Sequence, residues 1–304
     1  MRTDASHLIL ILALLIAGLF ALPAASAANP TKTRRIILIA GTPSHPTLMH
    51  EYNAGCLLLK KCLANVKGVE AIVYTNGWPK DAHALDSADA IMLFMDGGGN
   101  HGAIKDDHLE QLAGLMKKGV GLGCVHYGVE LPADKGGPEF QKWIGGYYES
   151  NFSCNPMWEP NFQIFPKHPI SRGLKPFQIR DEWYFNMRFL PDMKGIIPIL
   201  VAKPSDAVRN GPYVYPSGPY PHIQAAKGRE EAMMWAVERP NGGRGFGFTG
   251  AHFHMNWGND NFRKAVLNGL LWIAHADVPK NGVESTVTQE DLMANLDDKP
   301  DRKK

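Results

Sequence analysis

The 304-residue chain sets 32 Lys and Arg against 30 Asp and Glu, a formal net charge of +2. So even a balance leaves no basic stripe for nucleic acid and no polybasic patch for a membrane surface. Four cysteines do not make a disulfide framework here: Cys56 and Cys62 fall on different faces of one predicted helix, and buried free thiols are expected.

Arg2, the apolar run Leu8–Leu22 interrupted by Gly18 and closed by Pro23, and the small residues Ala25-Ser26-Ala27 read as a signal peptide over residues 1–27. Its removal implies an exported protein, periplasmic or extracellular, with no stable membrane span. About 270 residues remain, enough for one large α/β domain.

Arg35–Ala40 predicts a first buried strand running into a loop with Gly41-Thr42-Pro43 and His45. Apolar spacing then predicts a helix from Leu48 to Val66, with His50 and Glu51 in its first turn. Glu70–Tyr74 and Asp89–Met95 are the second and third strands. The third ends in Asp96-Gly97-Gly98-Gly99-Asn100-His101, whose glycines would let backbone N–H groups approach a ligand. After an amphipathic helix over Asp107–Lys118 comes GVGLGCVHYGVE, Gly119–Glu130, an apolar run too short for a helix. It predicts a central strand that ends in a sharp turn at His126. Ligands of open α/β sheets bind outside the carboxyl ends of the strands, where His50, His101 and His126 would gather.

Gly136–Ser153 predicts a short helix and a loop, and Pro156–Pro176 a succession of turns. In the extended segment Phe177–Phe189, only one of the adjacent Asp181 and Glu182 can face a pocket. Ile196–Ala202 is a strand, and Glu231–Val237 with Gly245–Gly250 makes a hairpin about Asn241-Gly242-Gly243. The hairpin delivers His252 and His254, which share a face if extended, followed by Asn256 and Trp257. A helix over Asn261–His275 precedes residues 277–304, a polar tail read as disordered. The whole describes an α/β fold, a flavodoxin-like parallel sheet flanked by helices with an added β-hairpin near the C-terminus.

The candidate chemistry follows from these positions. His126 and His252 are expected as acid–base groups or metal ligands, with Asp181 or Glu182 as carboxylate partner. His50, His126, His252 and His254 could hold a divalent ion such as zinc. Asp96, Gly97, Gly98, Gly99, His101, Glu130, Trp183, Tyr184, Asn256 and Trp257 are candidates for substrate contact, their aromatic faces suited to a sugar ring. The plainer readings are a capping role for Glu130 and core packing for Trp183 and Trp257. His45, His83, His168 and His222 read as hydrogen-bonding or capping residues, and Cys124 as a buried thiol.

GVGLGCVHYGVE, IRDEWYFNMRF and GGRGFGFTGAHFHMNWGNDNFRKAVLNGLLWIA, supported by SHPTLMHEYNAGCLLLKKCL and FMDGGGNH, resemble the ThuA-like (trehalose-utilisation) family over residues 34–276. The likeness is strongest to exported members of planctomycete-type bacteria. The family's fold is similar to class I glutamine amidotransferases, in which the elbow residue is a nucleophilic cysteine. Here His126 occupies the matching position and His252 falls in the late histidine segment, so the resemblance implies carbohydrate chemistry without amidotransferase activity. A glycoside or keto-sugar substrate and hydrolysis, isomerisation or elimination follow as expectations. A non-catalytic carbohydrate-binding module and a structural domain of the cell envelope are the alternatives.

Overall fold

The computed structural model describes residues 32–299, so the signal segment read at residues 1–27 lies outside the described residues. Seven strands form the main sheet: β1 Arg34–Ala40, β2 Val69–Tyr74, β3 Ala90–Phe94, β4 Gly121–Val125, β5 Ile196–Ala202, β6 Glu231–Glu238 and β7 Arg244–Phe248. Their spatial order is β5-β6-β7-β4-β3-β1-β2. Strands β7, β4, β3, β1 and β2 run parallel, while β6 pairs antiparallel with β7 in the expected hairpin and with β5 on its other side.

Both faces of the sheet are covered, which is why its strands read as continuous apolar runs rather than alternating ones. Ile36 and Leu38 of β1 face a core shared with α1 (Tyr52–Leu63) and α4 (Asp260–Ile273). Ile37 and Ile39 face the other core, shared with α2 (His108–Lys117) and α3 (Gly137–Ile144). All four cysteines are free and buried. Among the described residues, no helix is long and apolar enough to cross a membrane.

Three expectations need correction. Helix α1 starts at Tyr52 and not at Leu48, because Leu48 and His50 have φ of 65° and 50°, left-handed values that a right-handed helix cannot hold. His50 therefore lies in the loop before the helix. The turn-rich stretch after Pro156 is one side of a long irregular hairpin: Gly146–Tyr147, Met157–Trp158 and Asn161–Phe162 pair with Arg188–Phe189, Asp181–Glu182 and Phe177–Gln178. The Trp158 indole N–H fixes its crossing by donating to the Trp183 carbonyl at 2.9 Å. Finally, residues 277–299 are ordered. Val278, Val283 and Leu292 are buried, and Thr288 with Asp291 forms a capping box on α5 (Gln289–Met293).

Helices lie close against the strand backbone where glycines permit it. A Cβ at Gly121 would sit 2.2 Å from the Ile273 carbonyl oxygen, and one at Gly245 would sit 2.3 Å from that of Trp143. Gly121→Ala should therefore lower stability by about 1–3 kcal/mol in urea unfolding. Gly114→Ala in α2, where nothing lies within 4 Å, should leave it unchanged or raise it.

Candidate functional site: a buried histidine cluster

The chain leaves β1 for α1 on one face of the sheet and β3 for α2 on the other. Their carboxyl ends thus flank a topological switch point, the usual place for a ligand in this architecture. The loop after β1 is joined there to the loop after β7. Met49 and Phe253 form an antiparallel bridge, the His50 N–H donates to the His252 carbonyl at 3.0 Å, and the His254 N–H donates to the Leu48 carbonyl at 2.9 Å. His126 arrives from β4 on a sharp turn with φ of 52°. The hairpin insertion brings Glu182 from above.

Four ligating atoms converge. His50 Nε2 lies 2.8 Å from His252 Nδ1 and 3.2 Å from His126 Nε2. Glu182 Oε2 lies 2.7 Å from His252 Nδ1 and 3.6 Å from His126 Nε2. These four residues are buried, and their ligating atoms all lie within 4.8 Å of one another.

Groups behind the rings fix their tautomers. The Tyr52 hydroxyl donates to Asp96 Oδ1 at 2.7 Å, so its oxygen accepts from His50 Nδ1–H, also at 2.7 Å. His126 Nδ1–H donates to the Thr249 carbonyl at 2.9 Å. Both rings consequently turn an unprotonated Nε2 toward the centre when neutral. Burial, followed by the neighbouring His126 and His45, holds the His50 pKa well below its ordinary value. Burial alone would raise the Glu182 carboxyl, but the neighbouring His126 and His252 imidazoles outweigh it and hold the group below the usual carboxylate range. The other Glu182 oxygen accepts from the Asn155 amide at 2.8 Å.

Of the adjacent carboxylates, Glu182 faces the site and Asp181 supports it. Asp181 accepts from the backbone N–H groups of Ala251 and His252 at 2.9 and 3.0 Å and from the Asn256 amide at 2.8 Å. Asp181 and Asn256 therefore position His252, and the direct contacts assigned to them from sequence are corrected. Tyr184 reaches the site, its hydroxyl 3.3 Å from His126 Nε2. Glu130 lies nearby with its carboxyl pushed up to about 8 by burial and then by the charge of Glu182.

Several other expected site residues belong to the scaffold. His254 begins a short 3₁₀ turn that rotates it away from His252, and its Nε2–H donates to the Leu292 carbonyl at 3.0 Å. His101 is fully buried, donating to the Gly128 carbonyl at 3.0 Å and accepting from the Ala103 N–H. Trp183 packs against Phe162, Phe248 and Phe262, and Trp257 packs against Phe94 and Phe262. The glycine loop makes room for protein. A Cβ at Gly97 would sit 2.3 Å from the Tyr127 carbonyl oxygen and one at Gly98 would sit 3.2 Å from Glu130 Oε1, while the Gly98 N–H already donates to the Glu130 carbonyl. Gly99 faces open space.

Sequence reasoning missed His45 and Tyr52. The His45 ring stacks on His50 at 3.6 Å and forms the partly exposed cover of the cluster, with Ser44 linking it to Asp96. Tyr52 was hidden in the apolar stripe of α1. A cavity of about 350 Å³ lined by Gly41, Thr42, Trp78 and Asp96 opens between the ends of β1 and β3. A larger one, about 730 Å³, lies at the far end of α1 among Lys61, Lys67 and Pro279, away from the histidines. At the elbow itself Cys124 remains inside β4, its thiol pushed well up by burial, and the turn presents only the His126 imidazole.

Comparison with known proteins adds two kinds of finding. A family described as "Trehalose utilisation" (ThuA) matches residues 45–273. A ThuA-like protein from Bacteroides uniformis has a similar solved structure, with 14% identity, a TM-score of 0.56, and coverage of 83% of this chain and 95% of that one. Another from Parabacteroides merdae shows 16% identity, a TM-score of 0.54, and coverage of 86% and 99%. At these identities the likeness extends to the fold. A search of curated proteins gives no match.

His101 provides a check on the scaffold assignment. Burial lowers its pKa to about 4, so the unfolded chain takes up this proton first as the medium is acidified. The stability tied to neutral His101 is fully present above about pH 6.5 and is lost as pH falls toward about 4, by at most about 3 kcal/mol. Urea unfolding of His101→Gln across that window should show a flatter pH dependence than wild type. An unchanged slope would contradict the assignment.

Proposed function

Because the chain belongs to the ThuA (trehalose utilisation) family, we propose that it is a carbohydrate-processing enzyme whose His50, His126, Glu182 and His252 hold a divalent metal ion. The observation that carries this reading is the set of lone pairs aimed at one point. A proton on His252 Nδ1 can serve His50 or Glu182, not both, and His50 and His126 still oppose unprotonated nitrogens at 3.2 Å. A cation relieves that opposition. Zinc bonds of about 2.0–2.1 Å at tetrahedral angles place donors about 3.3 Å apart, close to the separations here. Imidazole and carboxylate suit zinc and other first-row ions, and four protein donors leave room for a substrate oxygen when the ion accepts a further ligand.

Such an ion would supply polarisation of a sugar carbonyl or hydroxyl, or a water of lowered pKa. The chain's own residues supply orientation and protons. Tyr52 with Asp96, and the Thr249 carbonyl, hold His50 and His126 in the ligating tautomer, the outer-shell arrangement typical of metal sites. Glu130, protonated near neutrality, has a proton to give to a sugar oxygen, and the Tyr184 hydroxyl can bond another. A glycoside or keto-sugar is the substrate class, and the leader-like first 27 residues support an exported setting.

The test is conversion of trehalose and its keto derivative, followed by chromatography, with zinc-loaded and chelated protein. Turnover should need the metal and be lost in His126→Ala. Glu130→Gln should keep the metal and lose about 10²–10⁴-fold in turnover. Saturable sugar binding with no chemical change, in loaded and chelated protein alike, would favour a binding module instead.

A further inference from the structure

We infer that the C-terminal segment Thr288–Lys299 is part of the histidine site's framework, with Lys299 as a positioning residue for His50. The inference rests on the metal-binding reading above. The residues before α1 have left-handed backbone at Leu48 and His50, so no helix satisfies their polar groups. The loop after β7 takes the His50 N–H and the Leu48 carbonyl, and the tail takes the Met49 carbonyl. Lys299 Nζ donates to the Met49 carbonyl at 2.6 Å and lies 3.3 Å from that of His50.

The same ammonium pairs with Glu51 Oε1 at 3.1 Å, and this pair is almost wholly buried, the side chains 3% and 0% exposed. Glu51 in turn holds the loop and the tail together. Its Oε1 accepts from the Leu48 N–H at 2.8 Å, and its Oε2 accepts from the Asp297 N–H at 2.9 Å. Asp297 Oδ1 then accepts from the Asn53 amide in the first turn of α1 at 2.6 Å. The tail also reaches the partner loop, since the Leu292 carbonyl accepts from His254. One segment thus grips both sides of the 48–50 and 252–254 junction, which sets the distance between His50 and His252.

Removing the Lys299 charge would leave Glu51 buried without its counter-charge and the Met49 carbonyl without its donor. Such a change is relieved most easily by movement of the loop that carries His50. Losing an outer-shell partner typically weakens metal binding by about 10–100-fold.

The experiment is chelator competition for zinc with the full mature chain, comparing wild type, Lys299→Met and Lys61→Met. Lys61 pairs with Asp291 of the same tail but does not touch the loop. Lys299→Met should bind zinc about 10–100-fold more weakly, Lys299→Arg should recover part of the loss, and Lys61→Met should stay within about twofold of wild type. Should Lys299→Met fail to fold, Glu51→Gln with Lys299→Met removes the closest buried pair together, leaving only Asp297, whose Oδ2 lies 3.9 Å from Nζ, without its ammonium, and should still bind more weakly, because Met49 has lost its donor. Wild-type affinity in a folded Lys299→Met, or in the double variant, overturns the inference and leaves the metal site standing. A wild-type chain that does not bind zinc overturns both.

Discussion

Two backbone hydrogen bonds, from His50 N–H to the His252 carbonyl and from His254 N–H to the Leu48 carbonyl, are the junction on which the site depends. They join the loop after β1 to the loop after β7, two segments about 200 residues apart in sequence that the sheet separates by β3 and β4. Without them His50 and His252 would belong to independent loops. With them the two rings meet at 2.8 Å, and His126 enters from the strand between on a left-handed turn.

The rest of the surrounding structure serves to hold that junction and to aim its rings. Asp181 gathers the backbone N–H groups that precede and carry His252, Tyr52 relays Asp96 to His50, and the Thr249 carbonyl sets His126. Each is a polar group buried with its partners satisfied. A fully satisfied network is rigid, whereas a partly satisfied one is costly. At the centre, by contrast, His50 and His126 oppose lone pairs across 3.2 Å, which marks the place where a cation contributes most. The glycines of FMDGGGNH take part indirectly: Gly97 and Gly98 let Tyr127 and Glu130 approach, which puts a carboxyl of raised pKa beside the cluster.

Much of the fold was legible in the sequence. The aliphatic runs of β1, β3 and β4 are short, apolar and bounded by turns, and the hairpin of β6 and β7 announces itself through Asn241-Gly242-Gly243. His126 and His252 could be placed because they follow strands directly. His50 could be named, but its setting could not, since nothing in LMHEY distinguishes a left-handed loop from a first helical turn. The roles of Asp181 and Glu182 divide according to the face of a two-residue ladder, and its register depends on pairing with Met157–Trp158. His254 failed as a ligand because a turn began where extended backbone was assumed. The tail was misread for want of an apolar pattern, although Thr288-Gln289-Glu290-Asp291 has the spacing of a capping box that sequence alone can reveal.

The most direct measurement is elemental analysis of the purified chain after zinc loading and exhaustive buffer exchange, for wild type, His50→Ala and Glu182→Gln. The account predicts close to one equivalent of metal per wild-type chain and a clear loss in both variants while the fold is retained. Metal that persists undiminished in both variants, or a wild-type chain that retains none, would contradict it.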